Sequence, residues 1–454
     1  MPIPLVLIHG YSDKGESFQP WKDILARTNK YNENDIQICS YRSLTNEVTI
    51  KDIAEGFDRA LRLNAHIDPN QPFDAIVHST GMLVLRSWLS VYSRRQRIKR
   101  IIAIAPASFG SPLAHKGRSW LGAIFKGNRE SGPDFMEAGD LVLDGLELGS
   151  RFTWDLAHRD LLNTDIFYGP HNDTPYVFTF CGDTQYKGLR GAITSAPGTD
   201  GTVRWAGCTL NTRKITLNFT LPPNDEKRYE ITDWSADERT NLAMPLIPVR
   251  NLNHASIIEN PSDELVEMAL EALEVDDKDS YIEWVKNASG KTKETLNAMA
   301  RWQQFVVRAR DERGDSITDF NLQLYKHSNN NNSDEPDWQP VKIDVQAYSS
   351  DNSFRCFHIN LDEILEENLK GLRLEFMASS GTELLGYFEY IADDFDLKKL
   401  EAQPTFTMDL SQLLHDRNFK FFYPFTTTLI EIVLNREPLP PRSINKVTWF
   451  LEKA

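Results

Sequence analysis

Short runs of apolar residues alternate with amphipathic stretches over roughly the first 260 residues of the chain. The apolar runs predict buried strands, and the amphipathic stretches, of which residues 82–92 are the clearest, predict helices. Continuous apolar strands are typical of a parallel sheet that helices cover on both faces, so we expect an α/β fold here. The predicted strands are residues 5–8, 36–41, 75–77, 101–105, 176–181 and 246–249.

Two regions depart from this alternation. Residues 106–175 form a long insertion between two predicted strands, and it carries the aromatic residues Trp120, Phe125 and Trp154. An insertion of this length is usually functional, because a structureless excursion is uncommon inside a compact domain. Beyond residue 301, runs with period-two alternation are separated by turns, which is typical of antiparallel strands.

The sequence therefore predicts three parts. Residues 1–275 are expected to form an α/β domain that contains the insertion at 106–175. Residues 301–454 are expected to form a separate β-rich, sandwich-like domain. Residues 276–300 lie in an acidic stretch and are expected to form a helical, solvated connector between the two domains.

The chain is acidic, with 50 Lys and Arg against 65 Asp and Glu, a formal net charge of −15 over 454 residues. This balance argues against a nucleic-acid partner, because phosphate backbones require a basic surface. No apolar run approaches the length of about 20 residues that crosses a bilayer. A local basic cluster follows residues 82–92, and we expect a solvated helix end there. Its members are Arg94, Arg95, Arg97, Lys99 and Arg100.

The N-terminus and the cysteines predict a cytoplasmic protein. Residues 1–4 lead directly into the apolar strand 5–8 without the basic segment or cleavage site of a signal peptide, although secretion without such a signal stays open. Cys39, Cys181, Cys208 and Cys356 lie far apart, so they predict buried free thiols. No ligand spacing indicates a metal, and no glycine-rich loop indicates a nucleotide, so we expect neither a metal nor a cofactor.

Ser79 is the candidate nucleophile. The segment 74–82, Asp-Ala-Ile-Val-His-Ser-Thr-Gly-Met, runs from an apolar strand through the serine into an amphipathic helix. This is the strand, sharp turn and helix of a nucleophile elbow, which exposes a serine hydroxyl above the edge of a sheet. Gly81 is present two residues after the serine, whereas Val77 replaces the first glycine of the usual Gly-x-Ser-x-Gly motif. The alternative is a serine that only caps the helix.

The segment 5–12, Leu-Val-Leu-Ile-His-Gly-Tyr-Ser, is a predicted buried strand that ends in a His-Gly pair. With it, the chain resembles the α/β-hydrolases of the lipase and esterase type, and Gly-Ser-Pro-Leu-Ala at residues 110–114 also resembles lipases. The resemblance implies that the main-chain N–H groups of Tyr11 and Thr80 form the oxyanion hole. It implies a packed, supporting role for His9, which we do not count as catalytic.

The resemblance also implies the chain order Ser, acid, His. His254 fits the base, because it follows the predicted strand 246–249 and precedes an amphipathic helix. Two aspartates compete for the acid. Asp200 lies in Gly-Thr-Asp-Gly-Thr-Val, which is similar to the acid-bearing segment of many lipases, and we favour it; Asp-Gly is also a common tight turn. Asp183, directly after the strand 176–181, is the alternative acid.

We therefore expect a serine hydrolase that cleaves carboxylic esters, with a lipid or a small ester as substrate, through an acyl-enzyme intermediate. The insertion is then either a lid or acyl-binding cap, or an ordinary satellite core. Acyl transfer to another alcohol by the same triad is one alternative, and a non-catalytic binding protein on a hydrolase fold is another. By analogy alone, the C-terminal domain is expected to make transient contact with a membrane surface or a protein.

Overall fold

The computed structural model describes most of the chain, and it forms two compact units. The first unit comprises Met1–Arg213, Asp233–Gln304 and Phe425–Thr427, and the second comprises Lys214–Thr232, Phe305–Pro424 and Thr428–Ala454. The residues outside the description are 1–2, 12, 14, 29, 65–66, 69, 116–139, 172, 189–195, 233–243, 329–336, 365–368, 402–404, 412–420, 440–446 and 449–454.

Short strands and helices alternate along the chain as far as α10, and strands predominate after it. The helices are α1 (Gln19–Arg27), α2 (Ile50–Leu63), α3 (Gly81–Tyr92), α4 (Pro112–His115), α5 (Asp140–Leu146), α6 (Arg151–Asp160), α7 (Ser256–Glu259), α8 (Asp263–Ala272), α9 (Lys278–Lys291) and α10 (Lys293–Ala298). The strands are β1 (Leu5–Ile8), β2 (Ile36–Cys39), β3 (Phe73–His78), β4 (Ile98–Ile104), β5 (Tyr176–Gly182), β6 (Thr212–Asn218), β7 (Tyr229–Thr232), β8 (Leu246–Val249), β9 (Trp302–Asp311), β10 (Asp319–Ser328), β11 (Trp338–Pro340), β12 (Ile343–Ala347), β13 (Phe354–Asn360), β14 (Leu369–Ser379), β15 (Leu385–Phe388), β16 (Thr405–Asp409) and β17 (Thr427–Pro438).

A six-stranded sheet with the order β2-β1-β3-β4-β5-β8 organises the first unit. Every neighbouring pair in it is parallel. The strands β1, β3, β4 and β5 are buried almost throughout, as their continuous apolar sequences require. All six strands predicted from the sequence are present, so the α/β prediction is confirmed.

Helices cover both faces of this sheet. On one face, alternate strand residues such as Ile76 and Phe178 share a core with Trp21 of α1 and Met268 of α8. On the other face, Trp88 of α3 packs against the rings of Phe57 and Phe73 at centroid distances of 5.3 and 5.8 Å. Within the described residues, no helix is long and apolar enough to cross a membrane.

The stretch 276–300 differs from the solvated connector that its acidity predicted. It forms α9 and α10 of the first unit, and Tyr281 and Trp284 are buried in the core beneath the sheet. The Tyr281 hydroxyl donates to the Val177 carbonyl at 3.1 Å, and Trp284 Nε1 donates to the Met268 carbonyl at 3.0 Å. The apolar residues recur at helical spacing, so the charges lie on the opposite face of α9.

Arg100 differs from the solvated helix end that was predicted for it. It lies on β4 and is 5 % exposed, and its guanidinium contacts Asp74 Oδ2 at 2.9 Å, the Val275 carbonyl at 2.6 Å and the Asp276 carboxylate. The Tyr31 hydroxyl also donates to Asp74 Oδ2, at 3.2 Å. A cation is retained inside the first unit because carboxylates and a carbonyl surround it.

The described part of the insertion is anchored to α3 by a buried ion pair. Arg86 of α3 binds Asp160 of α6 through two bonds of 2.8 Å, and Tyr168 donates to the same carboxylate at 2.8 Å. Trp154 is 3 % exposed. Trp120 and Phe125, the other proposed wall residues of a cap, lie outside the described residues.

The second unit is built from β-strands, which confirms the predicted β-rich C-terminal part. One sheet has the order β11-β10-β14-β16, and the other has the order β12-β13-β9-β17-β6-β7, with β15 paired to β17. Apolar residues of both sheets, including Leu322 and Ile432, share one core, as in a sandwich. Residues 214–232, which the sequence analysis assigned to the α/β domain, belong to this unit. The alternating burial of β6 suits an antiparallel sheet.

Candidate active site

Ser79 lies in a strained turn between β3 and α3. Its φ of 53° is in the left-handed region, which a residue with a Cβ adopts at a cost of about 1–3 kcal/mol. The turn is held by its main chain: Ser79 N–H donates to the Ile104 carbonyl at 3.3 Å, and Ser79 O accepts from Met82 and Ala107 at 3.2 and 3.0 Å. Thr80 occupies the N-cap of α3 and no side chain caps this helix. This geometry favours a nucleophile elbow over a capping serine.

The end of β1 packs directly against this elbow. The strand register places Ile8 opposite Val77, so the residues after each strand meet. A Cβ on Gly81 would lie 2.6 Å from the Ile8 carbonyl oxygen, and a Cβ on Gly10 would lie 2.9 Å from Ser79 Cβ. Gly81 is therefore needed for close packing. Val77, which replaces the first glycine of the usual motif, is fully buried.

Asp200 and His254 form a buried hydrogen-bonded pair. His254 Nδ1 lies 2.8 Å from Asp200 Oδ2, and the N–H of His254 donates to the main-chain oxygen of Asp200 at 3.0 Å. The other carboxylate oxygen accepts from the N–H groups of Thr202 and Val203 at 3.0 and 2.8 Å. Since Nδ1 donates to the carboxylate, neutral His254 presents Nε2 as an acceptor, which is the form that a general base requires.

Asp183 has another role in the structure. Its Oδ1 accepts from the N–H of Asn251 at 2.6 Å, and its own N–H donates to the Val249 carbonyl at 3.2 Å. Partial burial raises the pKa of its carboxyl. The fold therefore brings Asp200, and not Asp183, to His254, while Asp183 holds the left-handed turn at Asn251, whose φ is 62°.

Tyr11 and Thr80, the two residues proposed for the oxyanion hole, each directly follow a residue of the contact between Gly10 and Ser79. Tyr11 comes directly after Gly10 and is 9 % exposed, and burial raises the pKa of its phenol. Thr80 is fully buried at the start of α3, and its hydroxyl has no partner among the described residues. N–H groups at the start of a helix are suited to stabilise a developing negative charge.

His9 supports the turn after β1. Its Nε2 accepts from Tyr41 N–H at 3.1 Å, so its Nδ1 carries the proton and donates to the Gly10 carbonyl at 2.7 Å. The Tyr41 hydroxyl donates to the His9 carbonyl at 2.7 Å, and the two rings stack at 4.1 Å. Burial lowers the pKa of His9. These contacts match the packed, supporting role expected from the sequence.

His78 was not among the residues proposed from the sequence. It ends β3, and its Nε2 lies 3.1 Å from the main-chain oxygen of His254. The two imidazole rings are 4.7 Å apart with an interplanar angle of 39°. Its position directly before the candidate nucleophile was the available signal, but nothing in the sequence indicates contact with a residue 176 positions away.

Nothing in the described residues forms a metal site. No group of three or more His, Cys, Asp and Glu side chains is placed there to hold an ion. Cys181, Cys208 and Cys356 are buried, as predicted. Cys39 is half-buried, and burial raises the pKa of its thiol to about 12.

Among the solved structures, a phospholipase is similar to this chain over its whole length. Phospholipase PlaB from Legionella pneumophila superposes with a TM-score of 0.76 at 22 % identity, and the match covers 100 % of this chain and 97 % of that one. The chain has an α/β-hydrolase fold. The PlaB complex with thio-NAD gives 0.75 at 23 % identity with the same coverage. The similarity to PlaB therefore extends over both units of this chain.

Other matches are weaker. The mature lipase BlEst2 from Bacillus licheniformis aligns with 59 % of this chain and 91 % of its own, at 17 % identity and a TM-score of 0.39. No protein-family model and no curated protein matches the sequence. The comparisons therefore establish the α/β-hydrolase fold.

Proposed function

We propose that this chain is a serine hydrolase of carboxylic esters and that its physiological substrates are acyl esters of lipids. The hydrogen bond of 2.8 Å between His254 and Asp200 carries the proposal. A buried carboxylate on Nδ1 orients a histidine as a base, and Ser79 stands in the turn that presents a nucleophile. Fold similarity at 22 % identity does not transfer an activity, so the phospholipase PlaB supports only the choice of substrates to test.

In the proposed mechanism, Ser79 Oγ attacks the ester carbonyl and His254 Nε2 takes its proton. Asp200 stabilises the imidazolium that forms. The N–H groups of Tyr11 and Thr80 hold the tetrahedral oxyanion, a contribution in which one donor is typically worth 10²–10³ in kcat. His254 returns the proton to the leaving alcohol, which departs and leaves an acyl-enzyme. Water, activated by His254, then releases the acid and restores Ser79.

The direct experiment measures hydrolysis of p-nitrophenyl butyrate, p-nitrophenyl palmitate and phosphatidylcholine vesicles. We expect the Ser79→Ala variant to lose at least about 10³-fold in kcat. Ser90→Ala is the matched control, because Ser90 lies on the same helix and its hydroxyl contacts the main-chain carbonyls of Arg86 and Ser87, at 2.9 and 3.4 Å. Equal rates in wild type and Ser79→Ala would refute the proposal.

A fluorophosphonate probe tests the assignment independently. The labelled residue should be Ser79 by mass spectrometry, and Asp200→Asn should be labelled far more slowly. Label on another serine would show that the nucleophile is assigned incorrectly. Release of fatty acid from vesicles, compared with the soluble butyrate, tests the lipid preference separately.

The remaining expectations stay predictions. These are the cytoplasmic location, the lack of a cofactor, and contact of the β-rich part with a membrane surface or a protein. Thio-NAD is a ligand of the PlaB structure, and a binding measurement with NAD would test the cofactor prediction for this chain.

A further inference from the structure

His254 is held by two separate segments of the chain. Asp200 contacts it at two points, the ring Nδ1 and the main-chain N–H. His78 contacts a third point, the main-chain oxygen, at 3.1 Å from its Nε2. Because a carbonyl oxygen only accepts hydrogen bonds, the Nε2 of His78 must be the donor, and this fixes the tautomer of neutral His78.

This contact joins the two reacting groups of the proposed triad through the main chain. His78 is the last residue of β3 and is bonded covalently to Ser79. His254 lies in the loop between β8 and α7, where the backbone has neither helix nor sheet bonds to hold it. Asp200 lies on a different loop, before β6. The hydrogen bond from His78 therefore connects the main chain of His254 directly to β3, the strand that precedes the nucleophile.

The surroundings of His78 suit a neutral donor. Burial, and the positive charge that His254 can carry, hold the pKa of His78 well below its ordinary value. His254 and His9, at the end of β1, are the titratable groups that act on it. A Cβ on Gly10 would lie 3.2 Å from His78 Nδ1, so the β1 turn also limits movement of the ring. A neutral ring can lie beside His254 without opposing the imidazolium that the mechanism forms.

We infer that His78 is a positioning residue, which sets the distance between the base His254 and the nucleophile Ser79 by donating from Nε2 to the His254 carbonyl. This inference rests on the proposed function. Misplacement of a catalytic group by about 1 Å can cost about 10²-fold in rate, because the reacting atoms leave the productive geometry. Substrate binding does not use this bond, so its loss should lower kcat and leave KM nearly unchanged.

The experiment compares two substitutions at one position. His78→Leu introduces an apolar side chain and removes the donor, whereas His78→Gln keeps an N–H donor at a distance from the main chain similar to that of Nε2. With p-nitrophenyl butyrate, we expect His78→Leu to lose about 10- to 100-fold in kcat with less than about a threefold change in KM. His78→Gln should recover most of that loss. Rates are expressed per site labelled by the fluorophosphonate, so that unfolded protein does not count.

The matched control is His327→Leu, which removes a histidine of the second unit whose Nδ1 lies 3.4 Å from the Asp337 carbonyl. Its kcat should equal that of the wild type. If His78→Leu keeps the wild-type kcat per labelled site, or if His78→Gln loses as much as His78→Leu, the positioning role is overturned while the hydrolase function stands. A wild type that neither hydrolyses esters nor labels at Ser79 would overturn the proposed function, and this inference with it.

Discussion

Asp200 binds His254 through both its side chain and its main chain, with Oδ2 at 2.8 Å from Nδ1 and its carbonyl oxygen at 3.0 Å from the His254 N–H. A turn that bends at Gly201, where φ is 99°, supplies two further N–H groups to the carboxylate. The Asp-Gly pair is therefore a tight turn and also the segment that orients a histidine.

Asp200→Asn should lower kcat for p-nitrophenyl butyrate by about 10⁴-fold, because an amide favours the wrong tautomer of the histidine. Asp183→Asn is the control, since it keeps an oxygen acceptor for the Asn251 N–H, and it should stay within about threefold of the wild type. If the loss appeared in Asp183→Asn and not in Asp200→Asn, the acid would be assigned to the wrong loop.

Gly81→Ala should reduce both stability and turnover. Its new methyl group would lie 2.6 Å from the Ile8 oxygen and 2.7 Å from the His9 oxygen, so the elbow must shift, at a cost of about 1–3 kcal/mol. Gly56→Ala, in the exposed face of α2, meets nothing within 4 Å and should instead stabilise the protein by about 0.5–1 kcal/mol. Urea unfolding and ester turnover of the two variants check this contrast.

Asp160→Asn should destabilise the first unit by about 3–5 kcal/mol, because it leaves the fully buried Arg86 guanidinium without its counter-charge. Asp155→Asn lies on the same helix and removes an ion pair with Arg151 whose side chains are 57 and 67 % exposed. That loss should be below about 0.5 kcal/mol. Equal destabilisation of the two variants in thermal or urea unfolding would contradict the importance of the buried pair.

Asp74 should make stability depend on pH. Burial raises the pKa of its carboxyl to about 6, against the opposing effect of Arg100. An acid with a raised pKa in the folded state binds its proton more tightly there, so its stabilising contribution is complete below about pH 4 and is lost as the pH rises to about 6. The free energy of unfolding of the wild type, relative to Asp74→Asn, should fall over that range. A relative stability that rises with pH would mean that Arg100 outweighs burial.

Local patterns were sufficient for the elements and for part of the site. The apolar runs predicted all six strands of the parallel sheet, because a strand buried on both faces must be apolar throughout. Ser79 was recognisable because a sharp turn between a strand and a helix requires a small residue at Gly81. The order of motifs along the chain indicated His254.

Long-range packing decided the rest. Sequence motifs favoured Asp200 as the acid and kept Asp183 as the alternative, because both follow β5 and precede His254. The register of β5 against β8 pairs Gly182 with Val249, which commits Asp183 to the turn at Asn251 and leaves Asp200 to face the histidine. The contact between His78 and His254 joins the end of β3 to the loop after β8, and no local pattern indicates it.

The sequence by itself determined which segments become strands and helices and which serine stands at the elbow, because periodicity and small residues act over a few neighbouring positions. Tertiary structure decided that Arg100 is buried beside Asp74, that residues 276–300 complete a core, and that residues 214–232 join the β-rich unit. It also decided that Asp200 and His78 are the side chains that contact His254. These outcomes depend on the order and register of strands far apart in the chain, which hydrophobic patterning does not specify.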